Sequence, residues 1–310
     1  MTENLCPRCF APLSPRGVCP ECGRRASRPP RPDPRALPEG TLLKNRYVLG
    51  GTIGEGGFGV TYFAFDTMRS ARVAVKEYFP FTVAARVGKA VEARSPELRG
   101  RFSLGKKRFT DEAKNMAAIK DLKDIPTALD YFSENGTAYI VMEYIEGETL
   151  KDRVFKKGKM KEGDALALLR PVFSSLALIH DAGLLHRDVS ADNIILGKGC
   201  AKLIDFGSSV SAGRQQSLEL KRRYAPPEQY EKDGSVDRRA DVYAAGATLY
   251  YCVTGCLPPE ATDRLRQDRI SFPARLSPHM RAALSKALAL KAEDRYPDMR
   301  EMLADLDGIE

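Results

Sequence analysis

The chain has 310 residues, 43% of them hydrophobic and 29% charged, with a formal net charge of +8. That is enough for two domains or one bilobal unit, in the proportions of an ordinary soluble fold. The longest near-apolar stretch, residues 244–257, is too short to span a bilayer and is interrupted by threonine and glycine, and no charged-then-apolar leader opens the chain, so a cytoplasmic location without a membrane segment is expected.

Four of the seven cysteines fall in the first 22 residues as two CxxC pairs, Cys6 with Cys9 and Cys19 with Cys22. Two such knuckles can close a tetrahedral four-thiolate site, so zinc is the expected ion. Disulfides and a redox CxxC are the alternatives. The missing leader argues against the first, and the missing βαβ context against the second. Residues 1–23 resemble a small zinc ribbon of the rubredoxin-like kind, too poor in apolar residues to fold without its ion. Four thiolates leave no open coordination position, so the metal is structural. Cys200, Cys252 and Cys256 read as inert core residues. Residues 24–40, mostly arginine, proline, alanine and serine, read as a semi-extended linker.

Residues 47–53 and 60–65 read as two antiparallel strands joined by GEGGFG at 54–59. A dinucleotide fingerprint runs from strand into helix, whereas this loop runs from strand into strand. Gly54, Gly56, Gly57 and Gly59 let backbone amides approach a nucleotide's phosphates, and Phe58 at the tip can cover them. VAVK at 73–76 is a third strand. Its alternation places Ala74, small enough to admit adenine, on one face with Lys76, which can reach the α and β phosphates. Residues 80–110 then carry eight basic and two acidic side chains. They read as a solvated surface insert or as a docking patch for an acidic partner, and without interleaved aromatics they give little reason to expect nucleic acid. From residue 108, helical spacing aligns Phe109, Ala113, Met116 and Ile119 as an inward stripe. Glu112 beside that stripe is the expected partner of Lys76, with Asp111 the runner-up.

These motifs, followed in order by HRDVSADN at 186–193 and DFG at 205–207, resemble a eukaryotic-like serine/threonine protein kinase of the sort found in bacteria. The resemblance covers about residue 41 to the end. KEYFP at 76–80, followed by the long basic insertion, resembles a particular bacterial subgroup. The implied fold is α+β and bilobal: a small antiparallel β lobe with one helix (41–143) and a larger, mainly α lobe (148–310), preceded by the ribbon. The implied chemistry is transfer of the γ-phosphoryl group of ATP, with Mg2+, to a protein hydroxyl. By the same resemblance, backbone groups of Glu143 and Ile145 hold adenine at a hinge. Met142 is the gatekeeper, Thr149 meets the ribose and Ile195 lies under the base.

In the second half, Leu169, Val172, Phe173, Leu176 and Ile179 form the stripe of a core helix. Asp188 is the expected catalytic base, and Asn193 and Asp205 the magnesium ligands, brought together by a hairpin over 194–204. His186 reads as a packing residue. The resemblance further implies a Glu228–Arg295 ion pair and a brace from Asp241 to the catalytic loop. Among the serines between Asp205 and Tyr224, Ser217 is the favoured phosphorylation site, with Arg187 available to pair with its phosphate.

The pattern departs from the family in two linked places. Ser190 stands where a lysine normally follows the catalytic aspartate, and Lys221 stands where a threonine is usual. Lys221 is therefore expected to supply the missing charge. Thr61 also replaces the valine that usually covers adenine. The first reading is an active kinase. The alternative is a pseudokinase, a nucleotide-gated scaffold, or an adaptor acting through the ribbon and basic insert.

Overall fold

A computed structural model describes residues 5–25, 33–57, 59–119, 122–197, 199–205, 210–211, 220–231 and 236–308. Phe58, Phe206, Gly207 and Ser217 lie outside the described residues. The chain forms two compact units, one of residues 1–118 and 127–144, the other of residues 119–126 and 145–310.

The first unit is built on strands β1 (Leu42–Leu43), β2 (Tyr47–Gly56), β3 (Gly59–Asp66), β4 (Ala71–Tyr78), a β5/β6 hairpin (Ala84–Val87 and Ala90–Ala93), helix α1 (Arg99–Ala118), β7 (Ala128–Glu134) and β8 (Thr137–Glu143). Its six-stranded antiparallel sheet runs β1-β2-β3-β4-β8-β7. Tyr47, Leu49, Val60, Tyr62, Val75 and Ile140 are fully buried in its core. Helix α1 packs on it through Phe102 and Phe109, whose rings lie 5.5 and 5.6 Å from Tyr78.

Helix α1 starts at Arg99, not near residue 108, so the basic segment is partly helix and partly hairpin. The cause is Phe102, which shares the apolar stripe and stacks on Tyr78. Several of the basic side chains act internally. Arg86 grips the fully buried Glu77 at 3.2 and 2.6 Å, beside the Tyr62 and Tyr139 hydroxyls that donate to the same carboxylate. Arg94 donates to the Phe81 carbonyl. Nothing in this arrangement supports an acidic docking partner.

Residues 33–40 do not span as a linker. Leu37 is buried with its N–H on the Tyr62 hydroxyl at 3.0 Å, and Arg24 pairs with Glu39 at 2.6 Å. Their prolines set turns that fold the segment onto the sheet.

The second unit comprises β9 (Glu148–Thr149), α2 (Leu150–Lys157), α3 (Glu162–Asp181), β10 (Leu184–Leu185), β11 (Ile194–Leu196), β12 (Ala201–Leu203), β13 (Val210–Ser211), α4 (Arg238–Thr254), α5 (Ala261–Arg266), α6 (Pro278–Ala287) and α7 (Met299–Leu306). The α3 stripe Leu169, Val172, Phe173, Leu176 and Ile179 is wholly buried. Helix α4, capped by Asp237 and ended by left-handed Gly255, is buried nearly all round and approaches α6 at Gly246, where a Cβ would lie 2.8 Å from Ala287. Among the described residues no helix is long and apolar enough to cross a membrane.

Cys252 is buried on α4, but Cys200 and Cys256 are exposed, contrary to the expectation of three core thiols. Cys200 sits in the turn before β12 and Cys256 just past the α4 cap, where the chain leaves the core.

Arg295, with a fully buried side chain, meets Glu228 at 2.6 and 2.9 Å and also donates to the Ala289 and Leu290 carbonyls. Removing the carboxylate strands a buried cation. Glu228→Ala is therefore expected to lower the unfolding free energy by about 3 kcal/mol in urea titration, whereas Glu231→Ala, on the exposed side of the same segment, leaves it within about 0.5 kcal/mol.

Candidate active site and metal centre

In the first unit, β2 and β3 run on through the glycine motif, pairing Gly54 with Thr61 and Gly56 with Gly59. Gly59 is required by the protein itself: its φ is +153° and a Cβ would lie 1.8 Å from the Glu77 carbonyl. Gly54 and Gly56 are not, since a Cβ at either meets nothing within 4 Å.

Beneath this hairpin, Lys76 sits on β4 opposite Thr61, two residues from Ala74. Its Nζ lies 3.1 Å from Glu112 Oε1, with both residues buried. Asp111 points elsewhere and pairs with Lys114. Glu143 closes β8, its N–H donating to the Thr127 carbonyl at 3.0 Å. Ile145 belongs to the second unit.

In the second unit, β11 pairs with β12 and with β9, which sets Ile195 opposite Thr149. Thr149 has a role the sequence reading did not assign: its hydroxyl caps α2 by accepting from the Asp152 N–H. The β11/β12 hairpin returns the chain to Asn193, whose carbonyl accepts from the Ile204 N–H at 2.7 Å, one residue before Asp205.

The loop between β10 and β11 carries the other residues. Asp241, fully buried in the first turns of α4, accepts from the His186 and Arg187 N–H groups at 2.8 and 2.7 Å and bonds His180 Nε2 at 2.8 Å. Burial alone would raise its pKa, but these bonds and the two histidines hold it below the ordinary carboxylate value. His186 is fully buried, and burial drives its imidazole down to about 4. It is neutral at pH 7 and packs. Arg187 and Asp205 adopt left-handed φ of 63° and 67°, a conformation costing a non-glycine residue about 1 kcal/mol.

Asp188 holds Asn193 twice, the amide Nδ2 donating to its backbone carbonyl at 2.9 Å and to Oδ2 at 2.8 Å. That leaves the Asn193 amide oxygen as the atom able to meet a cation. Asp188 Oδ1 is buried with no hydrogen-bond partner among the described residues. Burial pushes this carboxyl up to about 6, with Lys221 opposing the rise and Asp205 adding to it. Lys221 donates from Nζ to the buried Ser190 Oγ at 2.8 Å and lies 3.4 Å from Asp192 Oδ2. Asp192 is also held by Lys151 at 2.7 Å. Asp192 as the second anchor of Lys221 was not foreseen, although its place two residues after Ser190 was a signal.

The four cysteines form one cluster, all four Sγ atoms lying within 4.8 Å of one another. Cys6 and Cys22 are 3.5 Å apart, as are Cys9 and Cys19. Zn–S bonds of about 2.3 Å in a tetrahedron place sulfurs about 3.8 Å apart, so the donor set fits zinc. The two knuckles repeat each other's backbone: Cys6 N–H to Ala11 and Phe10 N–H to Cys6 match Cys19 N–H to Arg24 and Gly23 N–H to Cys19. Phe10 and Gly23 share the same left-handed position, with φ of 56° and 70°.

Residues 47–305 match the family described as Protein kinase domain. The serine/threonine-protein kinase PknB of Mycobacterium leprae is 34% identical over 284 residues, 85% of this chain and 43% of that protein. PknL of Mycobacterium bovis is 32% identical over 287 residues, 87% of this chain and 67% of the relative. The chain thus spans less than half the length of the PknB kinases it matches. The solved structure of PpkA-294 in its apo form matches with a TM-score of 0.76 and 33% identity, over 88% of this chain and 99% of that one. With the bilobal α+β architecture and a family match running from β2 into the last helix, this chain belongs to the protein kinase family.

Proposed function

We propose that the chain is an active serine/threonine kinase that moves the γ-phosphoryl group of Mg-ATP to a protein hydroxyl. The observation that carries this reading is the catalytic loop: a carboxylate with one buried oxygen that has no hydrogen-bond partner among the described residues, fixed by Asn193 and clamped from behind by Asp241.

In the first unit, Lys76, oriented by Glu112, binds the α and β phosphates. The amides of Gly54, Gly56, Gly57 and Gly59 cradle the triphosphate. Two glycines that no protein contact demands are what close approach of a phosphate chain requires. Ala74, Thr61 and Ile195 bound the adenine, the backbones of Glu143 and Ile145 bind its edge, and Thr149 meets the ribose. Asn193 and Asp205 would hold magnesium, which neutralises charge on the β and γ phosphates.

Asp188 accepts the proton of the substrate hydroxyl as its oxygen forms the new bond to the γ phosphorus. The bond to the β-phosphate oxygen breaks, and ADP leaves. Lys221, held by Ser190 and Asp192, offers its ammonium to the migrating phosphoryl group. The cysteine cluster binds one structural zinc. Zinc thiolates and ATP both suit a reducing, ATP-rich compartment, so the cytoplasm is the proposed location.

The test is transfer of labelled phosphate from ATP to the chain itself and to a panel of basic proteins, with and without magnesium. Phosphoserine or phosphothreonine formed by the wild type and not by Asp188→Asn supports the reading. Nucleotide binding without any transfer favours instead the pseudokinase reading that the serine at position 190 suggests.

A further inference from the structure

The four-cysteine segment is packed into the first unit, and each knuckle supplies one contact to the sheet from between its own cysteines. From the first knuckle, the Arg8 carbonyl accepts the Gly51 N–H at 2.8 Å. From the second, Glu21 pairs with Arg72 of β4 at 2.6 Å. Phe10, just past the first knuckle, lies 5.7 Å from the ring of Phe65, and Phe63 packs against the cysteine cluster itself. Arg72 also lies over the Tyr144 ring, which Phe63 meets in a tilted contact at 5.1 Å.

The Gly51 contact falls at a particular place. The β2/β3 register is irregular between Leu49 and Thr52 and again between Thr52 and Gly54. There β2 loses regular pairing with its neighbour, just before the glycine hairpin, and the Arg8 carbonyl serves as the partner of the Gly51 N–H. Gly50 records how close the knuckle comes: a Cβ there would lie 2.1 Å from the Arg8 oxygen and 2.8 Å from the Phe10 ring. The backbone of Gly50 has no positive φ, so close approach alone requires the glycine.

We propose that the metal held by Cys6, Cys9, Cys19 and Cys22 braces the bulged stretch of β2, so that losing the ion loosens the glycine hairpin and weakens nucleotide binding. Arg8 and Glu21 are positioned only while the cysteines flanking each are tied to one ion. Without it, both knuckles lose the constraint that aims them at the sheet. The nucleotide half of this inference rests on the kinase reading, and the bracing half does not.

The experiment uses the full chain, zinc-loaded and then stripped by a strong chelator, with two readouts. Hydrogen exchange is followed by mass spectrometry in a peptide covering residues 47–57 and, as a reference, one from α3. The Kd for Mg-ATP is measured by calorimetry. Gly50→Ala provides a second arm that keeps all four ligands and one zinc per chain while displacing the knuckle.

Stripping and Gly50→Ala should each raise exchange in residues 47–57 by about tenfold, leave α3 unchanged and weaken Mg-ATP by about fivefold to tenfold. Unchanged exchange in the zinc-loaded Gly50→Ala chain overturns the brace, even if the stripped protein unfolds. Raised exchange with an unchanged Kd overturns the coupling to nucleotide. A zinc-loaded wild type that binds no Mg-ATP defeats the kinase reading and the coupling with it, while the exchange readout still decides the brace.

Discussion

Asp188→Asn is expected to abolish phosphoryl transfer, by about a thousandfold in kcat, and at the same time to make the protein more stable. The loss follows from removing the acceptor of the hydroxyl proton, since a positioned general base contributes about a hundredfold to ten-thousandfold. The asparagine oxygen can still accept from Asn193 Nδ2, so the loop geometry has no reason to collapse.

The gain follows from burial. The Asp188 carboxyl is pushed up to about 6 in the folded chain, against an ordinary value of 3.8. The folded state therefore holds this proton more tightly than the unfolded state does. Stability from this group is complete below about pH 4 and is lost as pH rises through about 6. At pH 7.5 the ionised carboxylate costs on the order of 3 kcal/mol that a neutral amide does not. Urea unfolding without nucleotide should thus favour Asp188→Asn at pH 7.5, and the advantage should shrink toward pH 5. A variant that is inactive but equally stable at both pH values would sink this account of the site as one held under electrostatic strain for catalysis.

Much of the architecture was legible because it lies in patterns of residue type. The β2/β3 hairpin, the Lys76 strand and the α3 stripe all follow from alternation or helical spacing. The Lys76–Glu112 contact follows from Glu112 lying one residue from the stripe, on the side that reaches Lys76. What escaped the sequence has identifiable causes. Gly100 and Gly105 hid the first half of α1, since glycine disfavours helix. Gly105 is there because a Cβ would meet the Tyr78 hydroxyl at 1.9 Å, a packing reason that spacing does not reveal. Arg86 looked like one cation in a charged run, and only the tertiary fold brings it to Glu77. The ribbon's docking was hidden because its main contact is a backbone carbonyl, which no residue type encodes. The Gly50-Gly51 pair inside a strand was the trace it left.

For Lys221, expected from the sequence to supply the charge missing at Ser190, the fold adds the contacts that hold it. Lys221→Ala is expected to lower kcat by about a hundredfold while changing the KM for ATP by less than about threefold, as for a charge that matters mainly in the transition state. Lys221 lies far along the chain from Ser190, yet its Nζ is 2.8 Å from that hydroxyl, and Asp192 holds it from another side. A merely structural lysine would make the same contacts, so the variants must separate charge from hydrogen bonding. Lys221→Gln can still donate to Ser190 but carries no charge, and it should be as slow as Lys221→Ala. Lys221→Arg keeps the charge and should recover much of the rate. Ser190→Ala removes one anchor and leaves Asp192, so its loss should be several-fold only. In the Lys221→Ala background, Ser190→Lys returns an ammonium to the same neighbourhood and should restore activity. If Lys221→Gln turns over like the wild type, the ammonium has no part in the transition state. The contact with Ser190 then serves only to fix the chain before Tyr224.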